Sequence, residues 1–88
     1  MNQLRELAPQ VLGALVRRHG DFAGAEDAVQ EALIEAATRW PVEGEPADPR
    51  AWMVRVASRR LANRYRAETA RRRREDLASS RSLHSPPD

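Results

Sequence analysis

The chain predicts an all-α fold: a compact three-helix domain with a long basic third helix. Three observations lead there. Apolar residues recur at spacings of three and four, and no stretch of useful length alternates with period two. Two aspartates stand where helices start, Asp21 ahead of an apolar-periodic run and Asp48 directly before Pro49. The length of 88 residues allows one small core and no second. Hydrophobic residues at 41% and charged residues at 32% suit a folded domain rather than a disordered chain.

In the first helix Leu4, Leu7, Ala8, Val11, Leu12 and Leu15 form one stripe, ended by His19-Gly20. Pro9 either opens the helix proper at its first turn or breaks a longer one. The second helix is expected from Phe22 to Trp40, capped by Asp21 and stopped by Pro41. The stretch Pro41-Val42-Glu43-Gly44-Glu45-Pro46-Ala47 reads as a loop because of its prolines and glycine. Asp48-Pro49 pairs an N-cap acid with a proline at the first helical position, and the third helix is expected from Pro49 to about Arg73. Residues 1–78 then form the domain. Residues 79–88, rich in Ser and Pro, read as a disordered linker leading to something further.

Composition removes several function classes. Cysteine is absent, so disulfides, thiolate nucleophiles and cysteine-held metals are excluded. His19 and His84 are too far apart in the chain to suggest a metal site, and no cofactor is expected. No apolar run approaches the roughly 18–20 residues of a membrane span, and Met1-Asn2-Gln3-Leu4-Arg5-Glu6 lacks a signal-peptide layout. A cytoplasmic location is expected, with neither membrane nor small-molecule substrate as partner. The serines cluster in the tail and His19 has no telling carboxylate neighbour except Asp21, so the chain is not expected to be an enzyme.

The net charge of +2 hides an asymmetry. Residues 1–49 carry four arginines and nine acids, whereas residues 50–88 carry eleven arginines and four acids. All fifteen basic residues are arginine, whose planar fork of donors suits phosphate, guanine and carboxylate. Two partners of opposite character are one reading, and two solvated helix faces the other.

Stepping about 100° per residue along the second helix puts Ala25, Ala28, Val29, Ala32, Leu33, Ala36 and Trp40 on one arc, the core face. The opposite arc carries Asp27, Gln30, Glu31, Ile34 and Thr38. An isoleucine among acids and an amide gains nothing from water, but it suits a docking surface with an apolar anchor and a polar rim. On the third helix Met53, Val54, Ala57, Leu61 and Tyr65 share the expected core arc. The other arc gathers Trp52, Arg55, Val56, Arg59, Arg60, Asn63 and Arg66. Arg55, Arg59, Asn63 and Arg66 make a row able to track a nucleic-acid backbone, with Arg50 ahead of them at the helix start. No glutamate lies between Arg50 and Ala67, so these arginines repel one another until an anion is supplied. Trp52 is either a stacking surface for a base or a core tryptophan at the helix start. The alternatives are a general helical nucleic-acid-binding module, such as an RNA-binding accessory protein, and a protein-binding helical adaptor. The first leaves the Ile34 face unused.

With both faces in view, the sequence resembles region 2 of bacterial sigma factors, and most of all the extracytoplasmic-function group. Two stretches carry the resemblance: Ala25-Glu26-Asp27-Ala28-Val29-Gln30-Glu31-Ala32-Leu33, and the run from Ala51-Trp52-Met53-Val54-Arg55-Val56-Ala57 through Ser58-Arg59-Arg60-Leu61-Ala62-Asn63-Arg64-Tyr65-Arg66. Arg39-Trp40-Pro41, followed by Gly44, Pro46 and Pro49, is similar to a subgroup whose full-length members carry long C-terminal extensions. The resemblance implies that Asp27, Gln30 and Glu31, on the arc of Ile34, dock on the clamp helices of the RNA polymerase β′ subunit. It implies that the loop Val42, Glu43, Gly44, Glu45, Pro46, Ala47 and Asp48 holds a base flipped from the single-stranded non-template strand of the promoter −10 element. It places Arg59 and Asn63 on helix positions that face this DNA. Relatives often have asparagine where Arg59 stands and aspartate where Asn63 stands, so their preferred −10 sequence does not carry over. The family also implies an anti-sigma protein as a further partner, and a region 4 that would follow the tail.

Overall fold

The computed structural model describes residues 2–83, and the side chains of residues 4–80. Among these residues the chain is three α-helices: α1 (Asn2–His19), α2 (Phe22–Glu43) and α3 (Pro49–Leu83). Among the described residues no helix is long and apolar enough to cross a membrane.

Each turn is fixed by a short list of bonds. Gly20, at φ +70°, donates its N–H to the Val16 carbonyl at 2.8 Å and closes α1 with a left-handed cap. Asp21 then caps α2, its Oδ1 accepting from Gly24 N at 2.9 Å. Asp48 repeats the device for α3, accepting from Ala51 N at 3.1 Å. Pro49 occupies the first helical position, where its missing N–H costs nothing.

The two internal prolines do not do what their sequence positions suggest. Pro9 lies within a continuous α1, and the helix is unbroken. Pro41 does not stop α2, which runs on to Glu43. Proline removes one hydrogen bond to the carbonyl four residues back. Both prolines, and the Arg5 and Ala37 that lose those bonds, are exposed, so water can satisfy the orphaned carbonyls. An ion pair from Arg39 Nε to Glu43 Oε2 at 3.0 Å also spans the Pro41 turn. The stop is Gly44, at φ +92°, whose N–H donates to the Trp40 carbonyl at 2.8 Å.

The core is small and wholly apolar. Val11 and Leu15 of α1, Ala25, Ala28, Val29, Ala32 and Ala36 of α2, and Met53, Val56, Ala57 and Leu61 of α3 are buried, and among the described residues no polar residue is. Alanines along α2 let the larger Leu15, Met53 and Leu61 fill the space between helices. Gly24 belongs to the same contact: a Cβ there would strike Asp21 Oδ2 and stand 3.0 Å from Leu61 Cδ1. Val56, expected on the arginine arc, is 4% exposed. Two helices pack on α3 from different sides, so its apolar arc is wider than a single stripe.

The core ends at Leu61, yet α3 continues to Leu83, well past the expected Arg73. Residues 79–83, expected to begin a linker, are its final residues; residues 84–88 lie outside the described residues. No proline or glycine interrupts this stretch, and Arg71 meets Glu68 and Glu75 along it, each at 3.9 Å. Every residue from Asn63 to Ser80 is exposed. The radius of gyration of 18.6 Å records this projection, since a close-packed chain of this length would have about 12 Å.

Candidate functional site

The α2 arc singled out above faces outward. Ile34 is 66% exposed, and Asp27 and Gln30 are exposed on either side of the half-buried Glu31. Ile34 lines a shallow depression with Glu31, Glu35, Thr38, Arg39 and Arg60. Thr38 turns its hydroxyl inward to donate to the Ile34 carbonyl at 2.9 Å, which leaves the isoleucine side chain as the apolar feature of the depression. The arc is not purely acidic. Arg64 Nη1 lies 3.1 Å from Asp27 Oδ2, and Arg60 reaches Glu31 at 3.6 Å and Glu35 at 3.3 Å. These arginines come from α3, so Arg60 belongs to the α2 face and not to the nucleic-acid row. All of these groups except Glu35 are substantially exposed, and such pairs contribute about 0–1 kcal/mol each. Pairs this weak link α2 to α3 without locking the face against a partner.

On the other side of α3, Arg55, Arg59, Asn63 and Arg66 are exposed along one line. None of these arginines meets an acid among the described residues; Arg66 Nη2 donates instead to Asn63 Oδ1. Arg50 is exposed but stands apart. Stepping about 100° per residue puts it on the arc of Ala57 and Leu61, one turn beyond the packed body rather than in the row. Trp52 is half-buried. Its ring meets Trp40 edge-on at 5.2 Å and 68°, and the Arg39 guanidinium lies 5.9 Å from its centroid. It is therefore a packing residue with a partly free surface, held beside the loop.

That loop is shorter than expected. Val42 and Glu43 form the last turn of α2, and the connection proper is Gly44, Glu45, Pro46, Ala47 and Asp48. Val42 projects from the helix end at 86% exposure. Pro46 is half-buried, Glu45 and Ala47 are exposed, and the Asp48 carboxylate is occupied by capping α3. Gly44 at one end and Asp48 at the other hold the loop's shape.

One cluster escapes sequence reasoning. Tyr65, expected in the core, is 37% exposed and donates its hydroxyl to Asp21 Oδ2 at 2.8 Å. The ring also meets His19 edge-on at 6.5 Å. Hydrogen bonds from Gly24 N and Tyr65, with the nearby Arg64 charge, hold the Asp21 carboxyl below the usual carboxylate range; the same bond pushes the Tyr65 hydroxyl up. A tyrosine at the margin of an apolar arc was the available signal, but its partner lies 44 residues away. No cluster of metal-ligating residues occurs among the described residues.

The Sigma-70 region 2 family profile matches residues 4–72, a span that contains the packed body, both faces and the loop. A protein of Rhizobium meliloti (strain 1021), described only as uncharacterized, is 48% identical over 48 residues. That stretch covers 54% of this chain and 11% of the relative, so the chain spans a small part of that protein's length. No solved structure matches the chain. Sigma-70 region 2 is a non-enzymatic transcription factor domain associated with RNA polymerase binding and promoter −10 recognition, and this chain belongs to that family.

Proposed function

We propose that the chain acts in the cytoplasm as the region 2 module of an extracytoplasmic-function sigma factor, bridging the polymerase β′ clamp helices and the promoter −10 element. The observation that carries this reading is the pairing of an exposed Ile34, rimmed by Asp27, Gln30 and Glu31, with an arginine row that meets no acid among the described residues. The isoleucine supplies an apolar anchor for a basic partner helix. Arg55, Arg59 and Arg66 supply phosphate contacts, and Asn63 reaches toward base edges. Unstacking a base costs a few kcal/mol, and capture against the Gly44–Asp48 loop, Val42 and the free surface of Trp52 offsets it. The polymerase supplies the chemistry, so no catalytic residue is required. An anti-sigma protein covering either face would silence the module.

A pull-down with a β′ clamp-helix fragment tests the docking half. Gln30→Ala and Asp27→Arg are each expected to abolish capture, and retention by both variants removes the docking assignment. The nucleic-acid half predicts that, with core polymerase present, single-stranded non-template −10 DNA is preferred over duplex −10 DNA and RNA. Equal affinity for all three would point to a general nucleic-acid-binding module.

A further inference from the structure

The end of α2 and the start of α3 are joined by more than the chain between them. Arg39 stands on one line of α2 with Glu35 and Glu43, four residues from each. Its Nε lies 3.0 Å from Glu43 Oε2, on the last residue of the helix, and its Nη1 lies 4.0 Å from Glu35 Oε1. Glu35 is itself tied to α3, because Arg60 Nη2 reaches the same oxygen at 3.3 Å. The third neighbour of Arg39 is the Trp52 ring, whose centroid is 5.9 Å from the guanidinium carbon. Trp52 stands three residues past Pro49, where α3 begins. One planar group therefore touches the residue just before the loop and an aromatic ring just after it. The surroundings have little else to hold them. Pro41 leaves the last turn of α2 one backbone bond short, and Val42, Glu45 and Ala47 are exposed.

We infer that Arg39 is a positioning residue for base capture. It fixes the Trp52 ring against the last turn of α2, so that Trp52, Val42 and the Gly44–Asp48 loop present one surface to an unstacked base. The inference rests on the reading of that surface as the base-capture site. Arg39 differs in kind from Arg55 and Arg59, which meet no acid among the described residues. Two of its three guanidinium nitrogens already face carboxylates, which leaves it little to offer a phosphate. The role also requires arginine rather than any cation. A guanidinium can donate through its edge to two carboxylates while its face meets an indole, whereas a lysine ammonium is a point charge on a flexible stem. Each contact is weak alone, but three on one rigid group leave it few orientations, and the ring it meets is held from a second side by Trp40 at 5.2 Å.

Fluorescence anisotropy of the 88-residue chain at about 50 mM salt, where phosphate contacts are strong, tests this. The probes are labelled single strands of dT, dC or dA, each about 12 nucleotides long, and a strand of equal length made of abasic sites. The ratio of base-bearing to abasic affinity separates what the bases contribute from what the phosphates do. Arg39→Ala is expected to lower that ratio at least about fivefold, the low end of what one stacked base contributes. Affinity for the abasic strand should stay within about twofold. Arg39→Lys should lose the ratio as well, because charge alone does not brace the ring; it also keeps the test valid should the alanine variant lose helix by circular dichroism. Trp52→Ala should lower the ratio too, and adding Arg39→Ala to it should cost less than about twofold more, because the arginine acts through the ring. An unchanged ratio in Arg39→Ala, its restoration by Arg39→Lys, or additive losses in the double variant each overturn the inference. Equal losses on base-bearing and abasic strands overturn it by making Arg39 a phosphate contact. If the unmodified chain binds both kinds of strand equally, base capture itself fails and the inference falls with it.

Discussion

Asp21 serves three neighbours with one carboxylate. It caps α2 through Gly24 N, accepts the Tyr65 hydroxyl, and lies in the field of Arg64. Because its folded pKa is depressed, the stability it contributes is present above the unfolded carboxylate value near 3.8 and is lost as pH falls through the lower folded value. Asp21→Asn should therefore be less stable than the parent at neutral pH, with the gap closing as acid denaturation sets in. Paired thermal melts from neutral pH down to acid check this, and a gap that stays constant would contradict it. Tyr65 has the opposite sign: its folded pKa is raised above 10.0, so its contribution holds below that value and is lost as pH climbs through the folded one. Two glycines give a second test. Gly13 sits mid-helix, and an added Cβ would meet only the flexible end of Arg17 at 3.2 Å, so Gly13→Ala should stabilise by up to about 1 kcal/mol. Gly24→Ala would push into Asp21 and Leu61 and should destabilise by about 1–3 kcal/mol. Urea denaturation of both variants measures the two signs side by side.

For the helices, the starts are more legible than the stops. Asp21 and Asp48 announce their helices because an N-cap is a bond between residues three apart, visible in a short window. The α2 stop does not fall at Pro41, because a proline's cost depends on whether the carbonyl it orphans can reach water, which a window of sequence does not show. Gly44, at φ +92°, is the residue that ends the helix. Gly44→Ala should accordingly cost about 1 kcal/mol, whereas Pro41→Ala should be neutral or mildly stabilising. Thermal melting of the pair decides between a glycine stop and a proline stop. The α2 core arc was legible for the same reason that the α3 arc was only partly so. α2 buries one alanine-rich stripe, while α3 is packed by two helices and buries Val56 as well.

For the molecule as a whole, the consequential fact is a mismatch of lengths. α1 has 18 residues and α2 has 22, against 35 in α3, so the partners can cover only its first half. Leu61 is the last core residue on that half and fully buried, so Leu61→Ala should destabilise the whole fold by about 2–5 kcal/mol. The same substitution at exposed Leu77 should cost less than about 0.5 kcal/mol, because nothing in the fold covers it. Chemical denaturation of the two variants tests whether the extension contributes to stability at all. The Arg64–Asp27 pair, half in water, should show a coupling below about 1 kcal/mol in a double-mutant cycle.

Helix number, both N-caps, the α2 apolar stripe and the division of the chain into an acidic and an arginine-rich half follow from the order of residues alone. Each depends on neighbours within a turn or two, or on composition. Which arginines are free is a different kind of fact. Arg60 and Arg64 are adjacent in sequence to Arg59 and Asn63, yet they meet Glu31, Glu35 and Asp27, while the arginines of the row meet no acid among the described residues. The partition, like the Tyr65–Asp21 bond and the point where α3 leaves the core, is set by the rotation and offset of one helix against another. Those are fixed by side chains far apart in the chain that must fill one small shared core.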